Sequence, residues 1–361
     1  MKIIGFGLDP NNVYSTKYRL SNYTDLFKSN GINLDMVPII QMSKFEKLYN
    51  NNKFLGNLFY YGFYLSTIVM DVINTKQYDA VLIQRHLFPG KISFLEKLLV
   101  KMNKNIIFDF DDAIFSLPKH FRYKNWEKDP NSKNEFNKVK FLIKNSKLVI
   151  AGNNYLAEYA KKYNQNIIIV PTPIDIELFK SPKTKYKLHK PIRIGWYGSW
   201  GNQPYLESIM PAIENLSKKY NLELRVISDK DYYKKYSYIK NIKWNEKDEE
   251  KLISECDIAV APLPTDEWTR GKCGYKILKY MICGLPSVVS PIEIQKEIIE
   301  NNIDGFHADS ILEWKMTISK LIKSEELRKS FGTKSRAKII ERYSREKLGK
   351  IIVENIKTIS Q

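Results

Sequence analysis

Three cations stand close together where a helix pattern opens. They are Arg270, Lys272 and Lys276, in the stretch Arg270-Gly271-Lys272-Cys273-Gly274-Tyr275-Lys276. A helix N-terminus already carries partial positive charge, so cations there oppose the dipole and do little for stability. They make sense around a bound anion such as a diphosphate. A solvated basic turn is the plain alternative. A second stretch, Ile194-Gly195-Trp196-Tyr197-Gly198-Ser199-Trp200-Gly201-Asn202, places three glycines between a strand pattern and a helix pattern over 206–216. Glycine lets the backbone approach a bulky anion, and free N–H groups at the helix start would meet it. The same glycines also suit an ordinary tight strand–helix connection. A third stretch, Phe108-Asp109-Phe110-Asp111-Asp112, sets three carboxyls at a strand end. Carboxylates there can handle a proton, or simply cap the next turn. Their spacing fits no metal-binding loop.

These groups need elements to hold them. Short β-rich runs at 3–8, 34–39, 80–84, 105–110, 148–151 and 167–170 alternate with helix-length segments. A second set runs through 192–197, 222–228, 239–244, 257–262, 287–290 and 305–308. Several are continuously apolar, as parallel strands buried on both faces require. Strands alternating with helices imply βαβ units, and ligands of such sheets sit outside the carboxyl ends of the strands. The polar, basic segment 181–191 is bracketed by Pro182 and Pro191 and reads as a linker. The expected fold class is α/β: two doubly wound Rossmann-like domains, 1–185 and 191–340, facing a central cleft. A terminal helix, 341–361, is expected to pack back on the first.

The chain has 361 residues and is 43% hydrophobic, enough for two cores and against disorder. Lys and Arg number 58 against 40 Asp and Glu, a formal net charge of +18. Such a surplus suits nucleic acid, an anionic membrane face or a phosphorylated substrate. Cys256, Cys273 and Cys283 form neither a CxxC motif nor an even disulfide framework, and the four histidines make no HExxH site. The N-terminus starts directly on a strand-like run instead of a signal core, so a cytosolic location is expected. Residues 54–70 carry no charge and are rich in aromatics, but Gly56, Asn57, Gly62, Ser66 and Thr67 break them up. A buried helix is expected there, with an interfacial aromatic face as the alternative.

The run 257–263, the Gly-Lys-Cys-Gly turn, Lys276-Ile277-Leu278-Lys279-Tyr280-Met281 and Gly284-Leu285-Pro286-Ser287-Val288 resemble retaining family 4 (group 1) glycosyltransferases of the GT-B fold. The Gly195-to-Ser199 strand-loop, Tyr18-Arg19-Leu20, Tyr78 to Arg85, Phe108 to Ile114, Pro171 to Asp175 and the Arg342-Tyr343-Ser344 helix end fit the same family, so the likeness spans nearly the whole chain. It implies transfer of a sugar from a nucleotide diphosphate sugar, of UDP or GDP type, to the hydroxyl of a saccharide or lipid-linked acceptor. No further cofactor and no metal are implied, because basic residues and a helix N-terminus neutralise the leaving diphosphate.

Residue by residue, the resemblance implies donor contacts at Gly7, Gly198, Ser199, Arg270, Lys272, Cys273, Gly274 and Lys276, with the nucleoside near Trp244 and Lys279. Asp111, Asp112 and Lys272 become the catalytic candidates, and Arg19, Arg85 and His86 the acceptor-side ones. The family's spaced pair of glutamates falls here on Gly271 and Lys279, and its basic pair on the first loop of the nucleotide domain is replaced by Ser199-Trp200-Gly201-Asn202. Arg270, Lys272 and Lys276 are therefore expected to take over the diphosphate. The missing glutamates keep a second reading open, a non-catalytic nucleotide- or sugar-binding protein. The basic, aromatic run 119–147 suggests an anionic membrane surface as a partner, with peripheral association at the inner face of the plasma membrane. No nucleic-acid motif accompanies the charge, so nucleic acid is not expected as a partner.

Overall fold

Uninterrupted apolar runs become strands buried on both faces. β3 (Ala80–Gln84), β4 (Ile106–Phe110) and β5 (Leu148–Ala151) are buried at every position. The computed structural model describes residues 1–8, 14–39, 53–59, 62, 65–87, 94–117 and 130–360. With β1 (Lys2–Leu8), β2 (Asn33–Ile39) and β6 (Ile167–Ile169), these strands form a parallel sheet ordered β2-β1-β3-β4-β5-β6. A second parallel sheet is ordered β12-β11-β10-β7-β8-β9. Its strands are β7 (Ile192–Tyr197), β8 (Leu222–Ser228), β9 (Ile239–Lys243), β10 (Ile258–Ala261), β11 (Ser287–Val289) and β12 (Phe306–His307). The expected class, two doubly wound α/β units, is what the chain adopts. Trp244, Pro262 and Ser290, read as the last strand residues, lie just beyond them.

The first unit comprises Met1–Thr172, Gly271–Cys273 and Glu346–Gln361. Its core joins Ile3, Leu82, Ile107 and Ile150 to Leu348, Ile352, Val353 and Ile356 of the Arg345–Lys357 helix. Gly349 lets that helix lie close to Tyr23 and Leu26. Of the uncharged stretch 54–70, the Lys53–Phe59 helix exposes Phe54, Leu58 and Phe59, whereas Ile68 in the Leu65–Asn74 helix is buried. Tyr60, Tyr61, Phe63 and Tyr64 lie outside the described residues. Among the described residues no helix is long and apolar enough to cross a membrane.

The second unit comprises Pro173–Arg270 and Gly274–Arg345. The first crossing therefore falls at Thr172–Pro173, ahead of the expected boundary near Lys185. Residues 181–191 are a strap of the second unit instead of a free linker. Lys183 N–H donates to Cys283 O at 2.8 Å, Tyr186 Oη donates to Gly284 O at 3.0 Å, and Arg328 donates to Tyr186 O. Polar, proline-bracketed sequence looks the same whether its backbone is tied down or not. Two cores flank this sheet, one around Trp196, Leu224 and Trp314, the other around Ile277, Met281 and Ile294.

Gly274 stands at φ +65° ahead of the Tyr275–Ile282 helix, and a Cβ there would run into Ile298 and Ile294. Gly31 has a similar φ of +76° with open space around it. Gly31→Ala should cost about 1 kcal/mol, the left-handed penalty alone. Gly274→Ala should cost roughly 2–4 kcal/mol, because overpacking adds to it. Thermal melting of the two variants should show that order.

Candidate functional site

In doubly wound sheets the ligand crevice opens where the strand order reverses. In the first unit that point lies between β1 and β3. In the second it lies between β7 and β10. Gly7 near the end of β1, and Arg85 and His86 just past β3, thus stand at one switch point. Tyr197, Gly198 and Ser199 stand at the other.

The first unit gathers buried charge at its strand ends. Asp109 on β4 meets Arg19 in a two-pronged pair, Nε to Oδ2 at 2.8 Å and Nη2 to Oδ1 at 2.5 Å. The two side chains are 2% and 3% exposed. Arg19 also donates to Val170 O at 3.0 Å. Arg19, expected on the acceptor side, is instead a strut with its guanidinium fork consumed inside the unit. Arg85 reaches Asp111 through Nε at 3.0 Å and Asp112 through Nη2 at 2.5 Å. Its backbone is left-handed, φ 70°, with its N–H donating to Asp109 O at 2.9 Å. A non-glycine residue in that region stores strain and clusters at functional sites.

Arg85 splits the two carboxyls it holds. Burial works against charge at Asp111, but Arg85 and Arg19 outweigh it and hold the carboxyl below its ordinary range. Burial dominates at Asp112 and raises it, against the pull of Arg85 and Lys272. Neighbouring carboxyls pushed apart in this way can divide acid and base roles. Burial, aided by Lys138 and Arg85, pushes the His86 imidazole down to about 4.

The segment Gly271–Cys273 belongs to this same unit. Asn153 Nδ2 donates to Lys272 O at 2.9 Å, and a Cβ on Gly271 would come within 2.5 Å of Ala113 Cβ. Cys273, expected to contact the donor, is buried and donates its thiol to Asp111 O at 2.9 Å. A Cβ on Gly7 would lie 2.7 Å from Thr16 Cγ2, so Gly7 serves close packing of the following helix.

In the second unit Gly198 is closely approached by its neighbours. A Cβ there would fall 2.9 Å from Lys276 Nζ and 3.1 Å from the Trp196 ring. Lys276 Nζ sits 4.0 Å from the centroid of that buried indole. Ser199 Oγ accepts from Asn202 Nδ2 at 2.8 Å. The expected helix over 206–216 begins later. A 3₁₀ segment, Trp200–Ser208, interrupted by Pro204, precedes the Met210–Ser217 helix. Gly195 is not part of the turn, since its missing Cβ admits Cys256 Sγ against β7. Arg270 is ion-paired to Glu293 at 2.6 Å. Of the three cations expected to act together, Arg270 is thus partly neutralised, Lys272 belongs to the first unit and Lys276 to the second.

Lys279 was expected near the nucleoside. Its side chain is 2% exposed and donates to Glu249 Oε1 at 2.7 Å and to Tyr197 Oη at 3.1 Å. Glu249 Oε1 also accepts from Tyr197 Oη at 2.6 Å and from Trp244 Nε1 at 2.9 Å. Glu249, Tyr197 and Trp196 were not among the expected site residues. Lys279 stands where the resemblance expected a glutamate, and that departure was the available signal that a carboxylate comes from another element.

The loop 9–13 and the basic residues 119–129 lie outside the described residues. In the remainder of the basic run Lys138 is buried rather than facing a surface, while Lys140 stands 5.0 Å from the Tyr163 ring centroid. Among the described residues no group of three or more His, Cys, Asp or Glu is placed to hold a metal ion.

Residues 191–324, which lie in the second unit apart from Gly271–Cys273, match the family described as Glycosyl transferases group 1. No curated protein matches the sequence. Among solved structures, Anabaena HepE in complex with UDP and glucose is similar over 99% of this chain and 100% of its own, at 14% identity and a TM-score of 0.68. Sucrose-phosphate synthase from Thermosynechococcus elongatus is similar over 99% of both chains, at 11% identity and a TM-score of 0.69. A glycosyltransferase from Rickettsia africae covers 99% of this chain and 98% of its own, at 15% identity and a TM-score of 0.67. At these identities the likeness is one of fold, and the fold is GT-B.

The lowered His86 sets a pH dependence. The folded chain keeps the imidazole neutral, while the unfolded chain binds a proton below its ordinary value of 6.5. Stability attributable to His86 is therefore lost as the pH falls from 6.5 toward 4, by about 1.4 kcal/mol per pH unit at most. His86→Gln should flatten the acid side of a melting-temperature profile over that window and leave it unchanged above pH 7.

Proposed function

We propose that the chain is a glycosyltransferase that moves a sugar from a nucleotide diphosphate sugar to an acceptor hydroxyl. The observation that carries this reading is a coincidence of place. The family match falls on the second unit, at whose switch point the missing Cβ of Gly198 lets the Lys276 ammonium stand close against the backbone turn after β7. A backbone turn with a cation packed against it suits a diphosphate. Lys276 and the backbone N–H groups after β7 would stabilise the charge that develops on the leaving diphosphate. That role asks for no metal and no cofactor beyond the nucleotide sugar. The UDP in the HepE structures favours a uridine donor.

The first unit would take the acceptor. Asp111, held ionised by Arg85, suits hydrogen bonds to sugar hydroxyls. Asp112, beside Lys272, is the carboxyl with proton-handling capacity. The family resemblance adds retention of configuration, a saccharide or lipid-linked acceptor and a place in cell-surface polysaccharide or glycolipid synthesis. The basic run 119–147 adds association with an anionic inner membrane face. The second reading, nucleotide binding without transfer, is favoured by one observation. The position of a family glutamate holds Lys279, which is committed inward to Glu249.

Isothermal titration with UDP and GDP, followed by transfer assays, tests both. Wild type should bind one of them, and Lys276→Ala should weaken it about tenfold or more, about 1.4 kcal/mol. A wild type that binds no nucleoside diphosphate would sink the proposal. Binding with no turnover against any saccharide or lipid-linked acceptor would favour the second reading.

A further inference from the structure

Two charged side chains of the second unit are buried at the switch point and paired with each other. Glu249 opens the Glu249–Ser254 helix, and Lys279 lies in the last turn of the Tyr275–Ile282 helix. Each sign suits its helix end, which lowers the cost of placing the pair there. The pair remains expensive. Lys279 and Glu249 side chains are 2% and 9% exposed. A well-packed apolar pair of similar volume often leaves a fold as stable or more so, so stability alone is a weak reason for such a bridge.

The partners suggest the reason. A carboxylate offers about four lone-pair sites. Glu249 spends them on Tyr197 Oη at 2.6 Å, Trp244 Nε1 at 2.9 Å and Lys279 Nζ at 2.7 Å. Lys279 in turn donates to Tyr197 Oη at 3.1 Å and stands 4.6 Å from the Tyr275 ring centroid. Neither charge is left to meet a ligand. What the pair fixes is the pose of two aromatic side chains at strand ends. Tyr197 closes β7, with its N–H donating to Tyr280 Oη at 2.8 Å. Trp244 follows β9, is half-buried, and donates its backbone N–H to Ser228 O at 2.9 Å. An indole tethered at its nitrogen loses ring rotation, and a fixed aromatic face is what a flat heterocycle stacks on.

We infer that Glu249 and Lys279 are positioning residues that orient Trp244 as the wall on which the donor's nucleobase stacks, and so set nucleoside preference. The inference rests on the donor-binding reading above. The diphosphate half of the ligand belongs to Gly198 and Lys276, so the two halves should respond separately to substitution.

The test is calorimetric binding of UDP, GDP, ADP and inorganic pyrophosphate to wild type and three variants. Glu249→Gln/Lys279→Met removes both charges at nearly constant volume. Trp244→Phe keeps an aromatic ring but loses the tether. Trp244→Ala removes the wall. The first two should bind the preferred nucleotide roughly tenfold more weakly and compress the affinity ratio among the three bases, with Trp244→Ala at least as severe. Pyrophosphate affinity should stay within about twofold in all three. A role confined to stability would move melting temperature and leave the ratio among bases intact. Unchanged base ratios in the double variant, or pyrophosphate affinity falling in step with nucleotide affinity, overturns the inference while the donor reading stands. Wild type binding neither a nucleotide nor pyrophosphate overturns both.

Discussion

A carboxylate in the middle of a parallel sheet must be met by a cation or it does not stay charged, and Asp109 is such a carboxylate. It sits on β4, buried between neighbouring strands, and Arg19 reaches it with both prongs of its guanidinium. Losing one partner of a buried pair costs roughly 3–5 kcal/mol, because the other charge is left stranded. The pairing therefore ties the Tyr14–Arg19 helix to β4 and, through Val170 O, to the end of β6. With Asp109 answered from one side, Arg85 is available to Asp111 and Asp112 from the other. The strained backbone of Arg85 is what turns it toward them. The acid–base character of the strand end follows from this division of partners.

The second unit solves the same problem with different residues. Its buried carboxylate is Glu249, its cation Lys279, and the remaining lone pairs go to aromatic donors. In both units a buried pair holds polar groups at the switch point in one arrangement. The contacts differ in what they leave over. In the first unit two carboxyls are held with separated proton affinities. In the second, two aromatic side chains are held in place and Lys276 is packed against the turn at Gly198.

The strands were legible because burial on both faces demands continuous apolar residues, and β3, β5, β7 and β8 begin and end where the runs do. The two-unit α/β class followed from their alternation with helices. The site was legible only in outline. Asp111 and Asp112 follow β4, Gly198 follows β7, and Lys276 lies in the first turn of the Tyr275–Ile282 helix. The pairing of these groups was not, because it is made across long sequence separations: Arg19 to Asp109, Lys279 to Glu249, Arg270 to Glu293. A glycine in a strand-loop pattern does not say whether its missing Cβ admits a ligand or a neighbour. Gly195 admits Cys256, and Gly7 admits Thr16. A buried lysine such as Lys138 or Lys279 is the least expected of residues on composition alone.

The net charge of +18 offered too many anion sites, and the manner in which each cation is held narrows them. A carboxylate neutralises the cation it holds. Arg19, Arg85, Lys279 and, in part, Arg270 are accounted for that way. An aromatic face holds a cation through its quadrupole and leaves the unit charge in place. The Trp196 ring centroid lies 4.0 Å from the Lys276 ammonium, and Gly198, without a Cβ, lets both stand close to the turn after β7. Trp196 is itself buried in the core of the second unit, so the ammonium rests on a rigid support. A cation on a rigid support needs little reorganisation when negative charge appears beside it. The family resemblance expects a basic pair in the loop after β7, where Ser199-Trp200-Gly201-Asn202 stands instead. The lysine beside that loop comes from the Tyr275–Ile282 helix, and the tryptophan under it from β7 itself.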